Sequence, residues 1–327
     1  MNVIDRYVAY IADVRRFSRR TVSIYGDIVR RYVAMSCEES DDASIVRSMN
    51  PSEIRRYQVA LMDEHGFQPK TVNLHMSVLS GFCRFLVKEG LLTSNPVLLV
   101  RRPKVSKRLP EFYREEAMAG YLDKASLYCS PEAFAAFSES PRSSLGKQIY
   151  ERMLSRLVVS ILYSTGIRRS ELISIRISDL DVDRGVLRVH GKGDKMREIP
   201  VLSVLCEEIL LYLKAVELLA GCVRSVKEPL LVTYGGRALY PVYVDRAVKK
   251  ELCNAEGITG RRSPHVLRHT LATGLMNEGS DLNSIKEMLG HSSLATTQIY
   301  THADAARLKA IYKSAHPRAK KGGNNGD

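Results

Sequence analysis

Apolar residues recur at helical spacing along almost the whole chain, and a single short window breaks that rhythm. Ile4, Tyr7, Val8, Ile11 and Val14 form one stripe, and Val22, Tyr25, Ile28, Val29, Tyr32 and Val33 form the next. A third helix is announced by Asn50-Pro51-Ser52-Glu53. There Asn50 can cap, Pro51 suits the first helical position and Glu53 can reach back to the exposed amides. A fourth carries Val72, Met76, Leu79, Phe82, Phe85 and Leu86 and stops near Gly90. Further on, Met153, Leu154, Leu157, Val158, Ile161 and Leu162 mark a helix ending near Gly166, and a short one starts around Ser170-Glu171-Leu172. Only around 180–182, 186–189 and 197–201 does alternation replace this spacing, with Asp-Arg-Gly and Gly-Lys-Gly-Asp-Lys between the runs. Helical spacing then returns over 203–220, 241–255, 264–277, 281–289, 294–301 and 303–314, punctuated by Gly257, Gly279 and Gly290. Such a chain folds as a mainly α (α+β) protein with one small antiparallel sheet in its second part.

The stretch from Asn95 to Pro110 sets Pro96, Pro103 and Pro110 among Arg101, Arg102, Lys104, Lys107 and Arg108. It reads as an interdomain linker able to track a phosphate backbone. With 327 residues, 45% of them hydrophobic, the chain can build about two cores. A formal net charge of +13 points to a polyanionic partner. Basic residues including Arg15, Arg16, Arg19, Arg20, Arg30, Arg31, Arg55, Arg56 and Lys70 sit between the N-terminal apolar stripes. No apolar run reaches about 18 residues, and MNVIDRYVAY lacks the order of a secretory signal. The six cysteines lie far apart with no CxxC pair, and the histidines show no zinc-ligand spacing, as for reduced thiols in the cytoplasm. The small, polar tail from Ala319 to Asp327 is expected to be disordered.

Phosphodiester transfer without a metal needs cations on the nonbridging oxygens, a nucleophile, and an acid for the leaving oxygen. The run Ser164-Thr165-Gly166-Ile167-Arg168-Arg169-Ser170-Glu171-Leu172 sets an arginine just after a helix break, where a planar guanidinium can clamp a phosphate. In His265-Val266-Leu267-Arg268-His269, His265 and Arg268 share one helix face. Leu289-Gly290-His291 follows, and then Thr296-Thr297-Gln298-Ile299-Tyr300-Thr301-His302 presents a tyrosine. No P-loop or metal-ligand cluster accompanies them.

In this order the residues resemble the tyrosine recombinases, the family of phage-type integrases and Xer-like site-specific recombinases. The likeness runs through the second segment, and HVLRHTLATGLMNEGSDLNSIKEMLGHSSLATTQIYTH, from His265 to His302, is similar to the Xer-like pattern along nearly its whole length. The resemblance implies a catalytic set of Arg168 (rather than Arg169), Lys192 (rather than Lys195) in Gly191-Lys192-Gly193-Asp194-Lys195, His265, Arg268, His291 and Tyr300. Glu171 is read as a structural partner orienting a neighbouring arginine, and His269 as a packing residue. Tyr300 would attack the scissile phosphate to give a 3′-phosphotyrosyl bond and a free 5′-hydroxyl, with Lys192 as acid and with no cofactor or metal. Two sites would exchange strands by way of a Holliday junction. The implied layout is a helical, SAM-like core-binding domain over 1–102, a linker over 103–110, a catalytic domain over 111–316 and a disordered tail over 317–327, the two domains clamping the duplex.

The implied partners are double-stranded DNA with paired recombination sites, and a homotetramer assembled on DNA through the C-terminal helix from Ala303 to Ser314. A second recombinase or accessory protein would complete the list, and no membrane is involved. The protein is expected in the cytoplasm, on the nucleoid when bound to DNA. The first helix begins almost at Met1, as in a simple recombinase rather than an integrase with an arm-binding domain. The segment from Ala125 to Gln148 exceeds its counterpart in housekeeping Xer proteins, which leaves inversion and integration beside dimer resolution as outcomes. Two other readings stand: a catalytically silent DNA-binding protein of the same fold, and a type IB topoisomerase-like relaxer.

Overall fold

The computed structural model describes residues 1–39, 41–105, 111–191 and 196–277, together with Ile285, Met288 and Leu289. The chain forms two compact units, one up to Arg108 and one from Leu109 onward. The expected turn over Lys192–Lys195, the helices over 294–301 and 303–314, and the tail lie outside the described residues.

The first unit is helical. α1 (Val3–Ala9) continues into a π-helical turn (Tyr10–Val14), and α2 (Arg19–Ser36), α3 (Asp42–Ser48), α4 (Pro51–Asp63) and α5 (Pro69–Lys88) follow. Asn50 caps α4 by accepting from the Ser52 and Glu53 amides at 3.0 Å, with Pro51 opening the helix. Glu53 does not reach back as the sequence suggested. The Asn50 amide donates to Ser48 O at 2.7 Å, and Glu53 pairs with Arg56. α3 carries no apolar stripe of its own; Asp41 starts it by accepting from the Ala43 and Ser44 amides. The core gathers Tyr7 edge-to-face with Phe82 and tilted against Phe85, while Tyr57 and His75 Nδ1 share a buried hydrogen bond of 2.7 Å.

The stretch expected as a linker begins as part of this unit. Pro96–Leu99 is a short 3-10 helix, and Val97 and Val100 are buried in the core. Asn73 and Gln58 donate to the carbonyls of Pro103 and Arg101, so the backbone around Arg101 and Arg102 is tied back to α4 and α5.

In the second unit α6 (Glu115–Ala125) and α7 (Pro131–Glu139) precede α8 (Ser144–Thr165), whose residues from Met153 to Thr165 are all buried. α8 is the unit's axis, with α7, α10 (Ser203–Ala220), α11 (Pro241–Glu251) and α12 (Pro264–Asn277) packed around it. The long segment after Ala125 is thus structured: α7 buries Phe137 against Tyr150 of α8. α9 (Arg169–Ser174) leads to the sheet β1 (Leu180–Asp181), β2 (Val186–His190) and β3 (Met196–Pro200), antiparallel throughout in the order 1-2-3. Leu187 faces Ile199 and Val189 faces Arg197 across the β2–β3 ladder. Leu187, Val189 and Ile199 enter the core, so the sheet's other face carries Arg188 and Glu198, which pair with Arg184 and Asp181. Ile285, Met288 and Leu289 are helical and buried in the same core. Among the described residues no helix is long and apolar enough to cross a membrane.

Candidate active site

The site is organised where α8 stops. Gly166 caps the helix with φ +62°, and a Cβ there would come within 2.5 Å of Leu289 Cδ2 and 2.9 Å of Leu271 Cδ2. Glycine is required twice, for the left-handed turn and for the close approach. Ile167 is fully buried and anchors the chain, leaving Arg168 in an extended conformation as the residue that opens α9.

Three residues on, Glu171 reaches back. Its Oε2 accepts from the Arg168 amide at 2.8 Å and its Oε1 from the Arg168 guanidinium at 2.9 Å. The same carboxylate accepts a two-pronged contact from Arg197 of β3, Nη2 to Oε2 at 2.8 Å and Nη1 to Oε1 at 3.2 Å. Arg197 Nε donates to Met288 O at 2.9 Å. Arg268, from α12, donates to Gly166 O at 2.6 Å and to the neighbouring Leu289 O at 2.5 Å. Arg168, Arg197 and Arg268 thereby gather around one carboxylate, an excess of positive charge that suits a bound anion.

The electrostatics follow from this crowding. Burial, then the charges of Arg168 and Arg197, push the Arg268 pKa down to about 10, against an upward pull from Glu171, so the guanidinium is still charged at neutral pH. Burial alone would raise the Glu171 pKa. The hydrogen bonds and charges of Arg197 and Arg168 outweigh it and hold the carboxyl below its usual range. Arg168 keeps 36% of its side chain exposed and Arg197 only 9%.

His265 lies on α12 one turn before Arg268 and is exposed, while His269 packs edge-on to Phe112. The α12 backbone is fixed by Thr270, which accepts from the Tyr113 amide at 3.0 Å. Arg169, the alternative to Arg168, turns the other way and pairs with Asp245 of α11. Arg168 and Arg268 are thus brought together by the fold. Lys192, His291 and Tyr300 lie outside the described residues, although β2 and β3 flank the first and Met288 and Leu289 precede the second. Among the described residues no group of three His, Cys, Asp or Glu side chains could hold a metal ion.

Sequence reasoning overlooked Arg197. Its signal was present: it alternates with Ile199, so it occupies the inward face of β3, where an arginine needs a buried acceptor.

The phage integrase family profile matches residues 144–307, and the profile of the phage integrase N-terminal SAM-like domain matches residues 4–90. Tyrosine recombinase XerC of Chlorobaculum parvum is 32% identical over 97% of this chain and 94% of its own. The chain belongs to the phage integrase family of tyrosine recombinases. XerC of Bacillus subtilis is 33% identical to the recombinase over 97% of each chain. The Tn1549 transposon integrase in complex with transposon right end DNA shares its fold, with a TM-score of 0.62 at 18% identity over 94% of this chain and 98% of that one. XerH bound to difH substrate superposes with a TM-score of 0.60 at 18% identity, covering 99% of this recombinase and 85% of that chain. The activity of the family, site-specific DNA recombination, is the activity of this enzyme.

Proposed function

We propose that the recombinase exchanges DNA strands through two transesterifications at the arginine-rich site. The Tyr300 hydroxyl attacks the scissile phosphorus and passes its proton to a histidine of the site, the bond to the 5′-oxygen breaks, and that oxygen takes a proton from Lys192. A 5′-hydroxyl from a second duplex then attacks the 3′-phosphotyrosyl bond and the phenol regains its proton. One phosphodiester is lost and one formed at each step, so no external energy source enters.

Arg168 and Arg268 balance charge on the nonbridging oxygens in the transition state, while His265 and His291 hydrogen-bond the phosphoryl group and assist proton movement. The observation that carries this reading is the convergence of the two motif arginines beside Gly166 and Leu289, with their excess charge offset only in part by Glu171. The partner is double-stranded DNA carrying two recombination sites, gripped by a helical domain over 1–102 and a catalytic domain over 111–316 joined by 103–110. Four protomers assemble through the segment from Ala303 to Ser314, and a second recombinase or accessory protein completes the complex. The enzyme works in the cytoplasm, on the nucleoid.

The test is single-turnover cleavage of a nicked duplex that traps the covalent species. Arg168→Ala is expected to slow adduct formation by about 10²–10³-fold, as for loss of one donor to a developing charge, with duplex affinity little changed. Cleavage at the wild-type rate would remove Arg168 from the chemistry.

A further inference from the structure

We infer that Arg197 is a positioning residue for strand cleavage, a strut that holds Arg168 and the chain leading to His291 in one frame. The inference rests on the proposed roles of Arg168 and His291 and adds a residue on which both depend. Arg197 stands on the inward face of β3, opposite Val189, and its guanidinium is used from both sides. The Nη1 and Nη2 edge grips Glu171, whose remaining bonds hold the Arg168 amide and guanidinium. Nε binds Met288 O, and the next carbonyl, Leu289 O, is held by Arg268. Two adjacent carbonyls just before Gly290-His291 are therefore fixed by two arginines, one of which also aims Arg168.

In the sequence Lys192 falls between β2 and β3, the strand that carries Arg197, so this side chain ties α9 and the Met288–Leu289 segment to the strand that follows Lys192. A planar fork with a third donor along its stem does this, and a lysine ammonium cannot. The geometry acts on the chemical step rather than on DNA affinity, because affinity is spread over many phosphate contacts.

The experiment uses the full-length protein and the DNA that wild type captures covalently in cells, prepared as a nicked duplex. At saturating DNA, Arg197→Gln is expected to form adduct about 10²-fold more slowly, the scale of a 1 Å misplacement, with Kd for the duplex within about threefold of wild type. Arg197→Lys, which keeps the charge but not the fork, falls between the two. A second readout separates positioning from loss of fold. In Arg197→Gln, Glu171 loses the cation that does most to lower its pKa, burial lifts it, and the ratio of variant to wild-type rate drops as pH is lowered from roughly 7 to 5. Glu198→Gln is the control, since it weakens the outward face of the same hairpin through Arg184 and Arg188 without touching Glu171.

A rate for Arg197→Gln within threefold of wild type, or an equal slowing by Glu198→Gln, would overturn the inference while leaving the proposed function intact. Absence of adduct with wild type would instead overturn the proposed function itself.

Discussion

Replacing Gly166 by alanine should damage both the fold and the reaction, and the size of the effect can be worked out. The backbone there is left-handed at φ +62°, which costs a residue with a Cβ about 1–2 kcal/mol. The new methyl would also meet Leu289 Cδ2 at 2.5 Å and Leu271 Cδ2 at 2.9 Å, both buried, and overpacking of that kind costs about 1–3 kcal/mol. The sum, about 2–5 kcal/mol, corresponds to a drop in Tm of roughly 5–15 °C for a unit of this size. Gly221 supplies the comparison. It ends α10 with φ +73°, yet a Cβ there meets nothing within 4 Å, so Gly221→Ala isolates the backbone term. Differential scanning fluorimetry of the two variants measures the difference, which is the crowding against Leu289 and Leu271. Covalent-adduct assays at a temperature where both are folded should show a further loss in Gly166→Ala alone, because pushing Leu289 aside disturbs the carbonyl held by Arg268. If Gly166→Ala melts no lower than Gly221→Ala, the close approach beneath Arg268 is wrong.

Three other perturbations follow from the same physics. Glu171→Gln should destabilise the second unit by about 3 kcal/mol, the low end for stripping a partner from buried charge since Arg168 is partly exposed. Its folded pKa lies below the ordinary 4.5, so the stabilisation is present above that pH and is lost as pH falls through the folded value. Urea melts should therefore show the wild-type advantage shrinking below about pH 4.5. Arg156→Met should cost about 3–5 kcal/mol by removing the buried cation paired with Glu208, and adding Glu208→Leu should recover part of it in a double-mutant cycle. His75 is held neutral by burial and by the charge of Arg31, its pKa lowered from 6.5 to about 4. The first unit should thus be most stable above pH 6.5 and lose on the order of 3 kcal/mol as pH falls towards 4, with His75→Phe flattening that dependence in chemical melts.

The long elements were legible because periodicity and end signals agreed. α10 spans Ser203–Ala220 and α12 starts at Pro264, the limits that their apolar spacing and punctuation set. The sheet was legible from alternation between two turn sequences. α3 was not, since a seven-residue helix with only Ile45 and Ser48 buried has no stripe to detect. The packing of Pro96–Val100 was hidden because prolines mark turns whether or not the chain docks afterwards. Glu171 could be read as an orienting carboxylate from its place three residues after Arg168. The identity of the second arginine it holds could not, because Arg197 is joined to it by the tertiary fold across 26 positions.

Tyr300 is the residue proposed to become bonded to DNA. Recovery and sequencing of DNA covalently attached to the protein in its native cells, wild type against Tyr300→Phe, tests it most directly. Adducts at a few repeated sites in the wild type and none in the variant are the expected result, and the relative orientation of those sites would distinguish inversion from excision. Adducts that persist in Tyr300→Phe would contradict the assignment of the nucleophile, and their absence from both proteins would contradict cleavage by this recombinase.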